Sequence, residues 1–300
     1  MINQLRLDMK IGTLIFLIFI TACLPASETF NNHNNDLQYT HNIIFLSGAE
    51  RPTEIYIASI SLNTIQQLTN TEGKVFDYSI QSNPFRIVYS TLNQSNGTDY
   101  WLITDLKSPS QKLFSCEGEL CFSAEFSPDG EFMLVTRSGG NLSSNSNSTR
   151  STIWKYRFTD SVFESLVPGS DLFGEHVIIS SNHGFVAYQN FNPTGIRILN
   201  AGGDEVRFIT MNQVIDGFTW ANNSDVLYYL SEEIVNDLPK TDLWSLNMIT
   251  AENIQIHPDI SPDSLITKIK SSPDNSKLLI GVVENPLIPN QIILIFDIYS

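Results

Sequence analysis

The sequence predicts an all-β fold made of repeated antiparallel sheets, and three observations carry this prediction. The segment 126–130 (FSPDG) separates two short strand patterns, Phe122 to Phe126 and Phe132 to Thr136, which is typical of a β-hairpin. The hairpin pattern occurs six times, with anchor positions at residues 37, 80, 126, 179, 220 and 271. A third strand pattern follows each anchor, and most copies then continue into a fourth. Four short strands in a repeat of roughly 45 residues predict the blades of a β-propeller.

The composition is that of a folded, acidic protein. Of 300 residues, 42% are hydrophobic and 16% are charged, with 17 Lys and Arg against 32 Asp and Glu. A surface with this acidic excess repels phosphate backbones and anionic lipid headgroups. We therefore expect no nucleic-acid partner.

The N-terminal residues predict export. Arg6 and Lys10 precede a ten-residue run without charges, residues 11–20 (IGTLIFLIFI). Ten residues rise only about 15 Å as a helix, which is too short to span a membrane and is typical of a signal peptide. We assign residues 1–22 to this signal.

Residues 20–23 (ITAC) resemble the bacterial lipobox. The resemblance implies that Cys23 is lipidated, becomes the first mature residue and carries a palmitate-type acyl chain. Such acyl chains would hold the protein at the cell envelope, on the outer membrane or the outer face of the cell membrane. With this lipobox, residues 23–36 are the lipidated Cys and a flexible, Asn-rich tether. The alternative is an ordinary signal peptide in which this Cys occurs by chance.

The repeats resemble a known family. The segment 126–135, the strand pattern that follows it and the ending at 65–69 (IQQLT) resemble TolB-type β-propeller repeats. The resemblance covers residues 37–300, although the first, fourth and fifth copies lack Pro-Asp-Gly. It implies a six-bladed propeller with four antiparallel strands per blade. We expect incomplete first and last blades, because residues 33–37 are too polar for a convincing strand and the last copy stops after its third strand. The N-terminal segment or a longer natural chain could supply the missing strand.

Loop lengths distinguish the two faces of the predicted propeller. With the strands of a blade named a to d from the centre outward, the a–b and c–d turns emerge on one face, here called the turn face. The b–c and d–a connections emerge on the other, here called the loop face. The loop face carries the long connections, including residues 137–151 and 231–241. Because binding residues usually lie on loops of a rigid scaffold, we predict that the loop face recognises the partner.

Two cysteines lie in one d–a connection on the loop face. Cys116 and Cys121 are separated by four residues, with no neighbouring His or further Cys. In an exported protein this spacing favours a disulfide over a metal site. Two free buried thiols are the alternative.

Charged residues near the start of the inner strands are the candidate binding site at the channel mouth. They are Asp77, Glu175, His176, Asp216 and Lys268. Groups of both signs around a channel could hold a cation or a polar ligand. The alternative is that strand ends near water are simply polar. The five His residues lack ligand spacing, so we predict no metal site and no cofactor.

The sequence lacks the common catalytic motifs: there is no G-x-S-x-G, no P-loop and no H-E-x-x-H. We therefore predict a monomeric, non-catalytic binding module whose partner is an envelope protein or peptide. The alternative is a propeller hydrolase or lyase that acts on sugar or peptide at the channel mouth, with Asp77, Glu175, His176 or Asp216 as acid or base.

Overall fold

We describe the chain from a computed structural model. It describes residues 42–47, 53–59, 64–81, 84–106, 108–139, 150–166, 174–212, 217–222, 224–235, 238–258, 260–261, 264–272, 277–283 and 291–297. The predicted signal peptide, Cys23 and the tether lie outside these residues. Within them there is no helix long and apolar enough to cross a membrane.

The described residues form six antiparallel sheets, and strands that follow one another along the chain are neighbours in each sheet. The first sheet contains β1 (Asn42–Ser47), β2 (Glu54–Ser59) and β3 (Thr64–Gln67). The second contains β4 (Val75–Gln81), β5 (Arg86–Leu92), β6 (Thr98–Ile103) and β7 (Gln111–Cys116). The third contains β8 (Leu120–Phe126), β9 (Phe132–Gly139), β10 (Arg150–Arg157) and β11 (Phe163–Ser165). The fourth contains β12 (Gly174–Ile179), β13 (Phe185–Phe191), β14 (Thr194–Asn200) and β15 (Glu205–Thr210).

The fifth sheet contains β16 (Phe218–Trp220), β17 (Val226–Val235), β18 (Leu238–Asn247) and β19 (Asn253–Ile256). The sixth contains β20 (Leu265–Ser271), β21 (Lys277–Val283) and β22 (Gln291–Asp297). The fold is thus a β-propeller with four-stranded antiparallel blades, which confirms the predicted all-β class.

The first and sixth sheets have three described strands each. By position in the repeat, β1 to β3 are the b, c and d strands, and β20 to β22 are the a, b and c strands. The described part of the first sheet therefore lacks an inner strand, and that of the sixth lacks an outer strand. The polar segment 33–37, where the first inner strand would be, lies outside the described residues.

The a–b hairpin of the third sheet forms as its turn residues predict. The buried Ser127 hydroxyl accepts a hydrogen bond from the Phe132 N–H at 3.0 Å and lies 2.6 Å from the Asp129 carboxylate. Gly130 has φ of +71°, a conformation that glycine adopts without steric cost. These contacts fix the turn and so set the register of β8 and β9.

The fourth sheet builds the same turn from different residues. The Ser180 hydroxyl accepts from the Phe185 N–H at 2.8 Å and contacts the Asn182 side chain at 2.8 Å. His183 takes the glycine position with φ of +60°. A short polar side chain two residues after the Ser is therefore enough to form the turn, which explains how copies without Pro-Asp-Gly keep the fold.

The apolar core lies between neighbouring sheets. Val88 and Tyr100 of the second sheet pack with Phe126 of the third, and Ile178 of the fourth packs with Trp220 of the fifth. All five side chains are buried. Each inner strand thus contributes to the core on the side of an adjacent sheet, and the sheets are held in order around a common centre.

Hydrogen bonds and an ion pair on the turn face also join neighbouring sheets. The Arg86 guanidinium donates to the carbonyl of Gly130 at 2.5 Å, linking the second and third sheets. Asp129 lies 3.6 Å from the His183 ring nitrogen, and Asn182 donates to Asp225. The a–b turns of four successive sheets are therefore connected to one another.

Candidate functional site

Four inner strands carry a β-bulge at equivalent positions on the side of the loop face. The register shifts lie between Val75 and Asp77, Phe122 and Glu125, Glu175 and Ile178, and Ile266 and Lys268. In the third and fourth sheets the bulge includes a residue with positive φ, +52° at Ser123 and +53° at His176. A bulge turns side chains away from the regular alternation of a strand. These four bulges therefore decide which side chains reach the centre of the ring.

The carboxylate of Asp77 reaches from the second sheet to the third. It accepts a hydrogen bond from the N–H of Tyr78 at 2.8 Å and one from the N–H of Ala124 at 3.1 Å. Burial raises the pKa of Asp77, while the backbone N–H groups and the charge of His176 act in the opposite direction. Protonation of this group is therefore coupled to the neighbouring inner strands.

Glu125 and Lys270 belong to the same group of charges, although sequence analysis did not select them. Burial raises the pKa of Glu125, the charges of Lys270 and His176 lower it, and the charge of Asp77 raises it further. Asp77, Glu125, His176 and Lys270 come from the second, third, fourth and sixth sheets. We call these four side chains the channel cluster.

A buried tyrosine borders the channel cluster. Tyr100 in β6 has a side chain with 0% exposure. Burial raises the pKa of its phenol well above the ordinary value, and the charge of Asp77 adds to this effect. The phenol therefore remains protonated at neutral pH, beside a carboxyl group that can change its charge.

Only two of the five predicted site residues belong to the channel cluster. Asp77 and His176 belong to it, and the His176 ring also lies edge-on to Phe218 with centroids 5.1 Å apart. Glu175 accepts a hydrogen bond from the Ser151 hydroxyl of the third sheet at 2.8 Å. Lys268 lies at the bulge of β20. Asp216 falls outside the described residues.

One signal in the sequence could have found Glu125 and Lys270. Both occupy the position immediately before the repeat anchor, Phe126 in the third copy and Ser271 in the sixth. A charged side chain inside an inner strand is unusual, because such strands are usually apolar where they are buried. The bulges hid this signal, since they break the two-residue alternation by which strand faces are assigned.

The channel cluster is suited to acid–base chemistry or to binding a charged ligand. Two carboxyl groups with raised pKa lie within electrostatic reach of an imidazole and an ammonium group. Among the described residues, no group of three or more His, Cys, Asp and Glu side chains is arranged to hold a metal ion. The cluster therefore offers charges of both signs to a polar ligand.

Cys116 and Cys121 are joined by a disulfide, which confirms that prediction. Their Cα atoms are 6.1 Å apart. The Thr98 hydroxyl accepts from the Cys121 N–H at 2.8 Å and donates to the Cys121 carbonyl at 2.9 Å. The disulfide and Thr98 together hold the connection between β7 and β8 on the loop face.

The loop face also carries exposed apolar side chains. Phe76 and Phe191 are 36% and 39% exposed, and Ile234 and Val235 are 55% and 40% exposed. Phe76 packs edge-on against Phe122 with centroids 6.3 Å apart. Exposed apolar groups around a polar channel mouth are typical of a binding surface.

Comparison with known proteins bears on the fold. No protein-family model and no curated protein matches the sequence. Among solved structures, TolB from Acinetobacter baumannii superposes with a TM-score of 0.55 and 16% identity, over 72% of this chain and 52% of that chain. The chain has a TolB-like β-propeller fold. It spans about half the length of the A. baumannii protein.

Other TolB-like and enzymatic propellers share this fold. A putative TolB from Agrobacterium tumefaciens matches with a TM-score of 0.55 and 11% identity, over 86% of this chain and 87% of that one. An oligogalacturonate lyase in complex with manganese matches with a TM-score of 0.60 and 10% identity, over 85% of each chain. At these identities the likeness is one of fold, and the TolB-like repeats predicted from the sequence are confirmed at that level.

Proposed function

We propose that this protein is an exported, lipid-anchored, non-catalytic binding module that recognises an envelope protein or peptide through its loop face. One observation carries the proposal: the loop face presents exposed Phe, Ile and Val side chains beside a group of charges. On the turn face, Arg86, Asp129 and Asn182 bind groups of neighbouring sheets. The exposed Val162 and Ile249 on that face lie in separate c–d turns.

The proposal includes a single ring of six blades. The six sheets correspond one to one with the six repeat anchors, and four of them share the same bulge in the inner strand. Equivalent inner strands around one axis would bring the channel cluster together. We further propose that the chain acts as a monomer with one loop face and one turn face.

The recognition face can be tested by blocking one face at a time in the full chain. Ser95→Cys lies in the exposed b–c connection of the second sheet, and Thr159→Cys lies in the exposed c–d turn of the third. Each variant is labelled with a bulky polyethylene glycol maleimide and used for affinity capture from the native envelope. Both variants also contain Cys23, so any labelling of Cys23 is the same in the two samples.

We expect the label at position 95 to remove the captured partner and the label at position 159 to leave it. Loss of the partner with the label at position 159 alone would contradict the proposal. Mass spectrometry identifies the captured protein in each sample.

The membrane anchor has a separate test. If Cys23 carries the acyl chains, Cys23→Ser should abolish incorporation of radiolabelled palmitate and should move the protein from the membrane fraction to the soluble fraction. Thr21→Ser, in the same segment, is the matched control. Full incorporation of palmitate into the Cys23→Ser protein would reject lipidation at this position.

A second candidate function is a hydrolase or lyase acting on sugar or peptide at the channel mouth. The observation in its favour is the channel cluster, because a carboxyl group with a raised pKa beside an imidazole can act as a general acid or base. Turnover of acidic oligosaccharides or peptides that is lost in Glu125→Gln and in Asp77→Asn would support this function. Absence of turnover with partner capture intact would favour the binding module.

A further inference from the structure

The β17–β18 hairpin of the fifth sheet extends beyond the strands on either side of it. The two strands pair over ten positions, from Val226 with Asn247 to Val235 with Leu238. β16 pairs only with Leu227 to Tyr229, and β19 pairs only with Leu243 to Leu246. Among the residues that the structure describes in this sheet, 231–235 and 238–242 therefore pair with each other alone. We call them the projecting hairpin.

The projecting hairpin is anchored at its base. The Thr241 hydroxyl accepts a hydrogen bond from the N–H of Ile266 in the sixth sheet at 2.7 Å. The Trp244 indole N–H donates to the Ser231 hydroxyl at 2.9 Å. These contacts fix the direction in which the hairpin leaves the fifth sheet, so its far end is presented on the loop face by a rigid support.

Two exposed apolar residues lie next to each other in the first strand of the projecting hairpin. Ile234 and Val235 are 55% and 40% exposed. Neighbouring residues of a strand point to opposite faces, so each face of the hairpin carries one exposed β-branched side chain. These side chains are not buried by the described part of the chain. Adjacent exposed apolar groups of this kind are typical of a surface that a partner covers.

The flanks of the projecting hairpin are acidic. The projecting hairpin contains Glu232, Glu233 and Asp242 against a single Lys240, which is a net charge of 1 − 3 = −2. The Lys240 ammonium lies 3.3 Å from the Glu233 carboxylate and 3.1 Å from that of Asp242. The only positive charge of the segment is thus already held by its own carboxylates.

We propose that the projecting hairpin is a docking site for a partner segment that combines Lys or Arg with apolar side chains. The inference rests on the proposed function, since it names the chemistry of the partner that the loop face recognises. Basic groups would meet the acidic flanks, and apolar groups would cover Ile234 and Val235. An anionic membrane surface would be repelled by the same flanks.

The test is a binding titration of the full chain with two synthetic peptides. One alternates Lys and Leu, and its twin alternates Glu and Leu. The first variant pair is Glu232→Lys with Glu233→Lys, and the second is Ile234→Ser with Val235→Ser. The control pair is Glu131→Lys with Glu252→Lys, which makes the same charge change at two exposed positions on the turn face. Urea unfolding confirms that every variant is folded.

We expect the Lys-Leu peptide to bind and the Glu-Leu peptide not to bind. The charge variant of the hairpin should weaken binding at least about tenfold, which corresponds to about 1.4 kcal/mol. The Ser variant should weaken it by several-fold, and the turn-face control should change it less than about twofold. Equal weakening by the hairpin and control variants would overturn the proposal, because net charge alone would then explain binding.

Lipid vesicles test whether the projecting hairpin binds a membrane surface in place of a peptide segment. Binding of the wild-type chain to phosphatidylglycerol or phosphatidylcholine vesicles that is lost in the Ser variant would assign the hairpin to a membrane and overturn the proposal. Failure of the proposed function is recognised separately. If the label at position 95 blocks partner capture while the hairpin variants change neither capture nor peptide binding, only the hairpin proposal fails.

Discussion

The turn face and the loop face are built from the same repeated strands but use their polar groups differently. On the turn face, Arg86, Asp129 and Asn182 join one sheet to the next. On the loop face, Glu125 keeps a raised pKa and Ile234 remains exposed. Contacts between sheets stabilise both faces, since Asp77 binds Ala124 and Thr241 binds Ile266 on the loop face. The loop face differs in that exposed apolar side chains lie beside a group of charges, and we assign recognition to it for this reason.

The largest expected effect is on stability near the turn face. Trp220 is buried between the fourth and fifth sheets, stacks on Phe185 with centroids 5.9 Å apart and donates to the Ile178 carbonyl at 3.4 Å. Trp220→Ala should lower the free energy of unfolding by about 3–5 kcal/mol, measured by urea denaturation. Ile234→Ala on the loop face is the comparison and should change it by less than about 0.5 kcal/mol. Similar losses in both variants would show that Ile234 is needed for the fold and would contradict its assignment to recognition.

Arg86 gives a smaller effect on the same face. It donates to Gly130 and lies over the rings of Phe126 and Phe158, at 5.1 and 4.7 Å from their centroids. Arg86→Ala should cost about 2–3 kcal/mol, because a charged hydrogen bond and two cation–π contacts are lost together. Arg157, which pairs with Asp160 at the surface, is the matched control. Arg157→Ala should cost much less than Arg86→Ala in the same assay, because exposed ion pairs contribute little to stability. An equal loss in both variants would mean that the contact between sheets adds nothing.

The disulfide tests whether the loop face also has a structural support. It closes a loop of six residues, 116–121, for which chain entropy gives a stabilisation of about 2 kcal/mol. The double variant Cys116→Ala with Cys121→Ala should lose about this much in urea denaturation. Reduction of the wild-type protein should have the same effect and should add nothing to the double variant. An unchanged midpoint of urea denaturation after reduction would show that the disulfide does not stabilise the protein.

Carboxyl groups on the two faces should change the free energy of unfolding in opposite directions as the pH rises. The raised pKa values of Asp77 and Glu125 mean that the folded protein holds more protons than the unfolded chain above the unfolded values of about 3.9 and 4.3. The free energy of unfolding therefore falls as the pH rises through the raised folded values. Glu125→Gln should remove part of this fall, measured by urea denaturation across the acidic to neutral range.

The pKa of Asp129, on the turn face, is shifted in the opposite direction, below its ordinary value. Burial opposes the shift, but hydrogen bonds from the Ser127 hydroxyl and the Glu131 N–H, with the charge of His183, lower its pKa. Its contribution is present above the unfolded value of about 3.9 and is lost as the pH falls through the lowered folded value. Asp129→Asn should therefore destabilise the protein more at neutral pH than in acid. A variant whose loss grows on acidification would contradict this assignment.

The sequence predicts the repeats well because each copy carries its own local signals. Turn residues such as Pro128 and Gly130 fix a hairpin within a few residues, and the Cys116 and Cys121 spacing is also local. The channel cluster is different, because bulges at Ser123 and His176 change which side chains face the centre. The bulges break the two-residue alternation by which strand faces are assigned. Glu125 and Lys270 were missed for this reason, although both stand directly before a repeat anchor.

The projecting hairpin is a second feature that the sequence alone did not predict. The polar segment 231–241 predicts a loop, whereas the structure continues both strands through it. The register pairs Ile234 with Pro239 and Val235 with Leu238, so the ladder continues to the end of the segment. Cross-strand partners of this kind become visible only when the register is known.

Hydrogen–deuterium exchange of the full chain, with and without the captured envelope partner, tests the assignment of recognition to the loop face most directly. If the loop face recognises the partner, the partner should slow exchange in the connections at 93–97 and 191–193 and in the hairpin at 231–242. Exchange in the turns at 127–131 and 181–184 should stay unchanged. Slower exchange confined to those turns would show that the face assigned to stability is the one that binds, and would contradict the account.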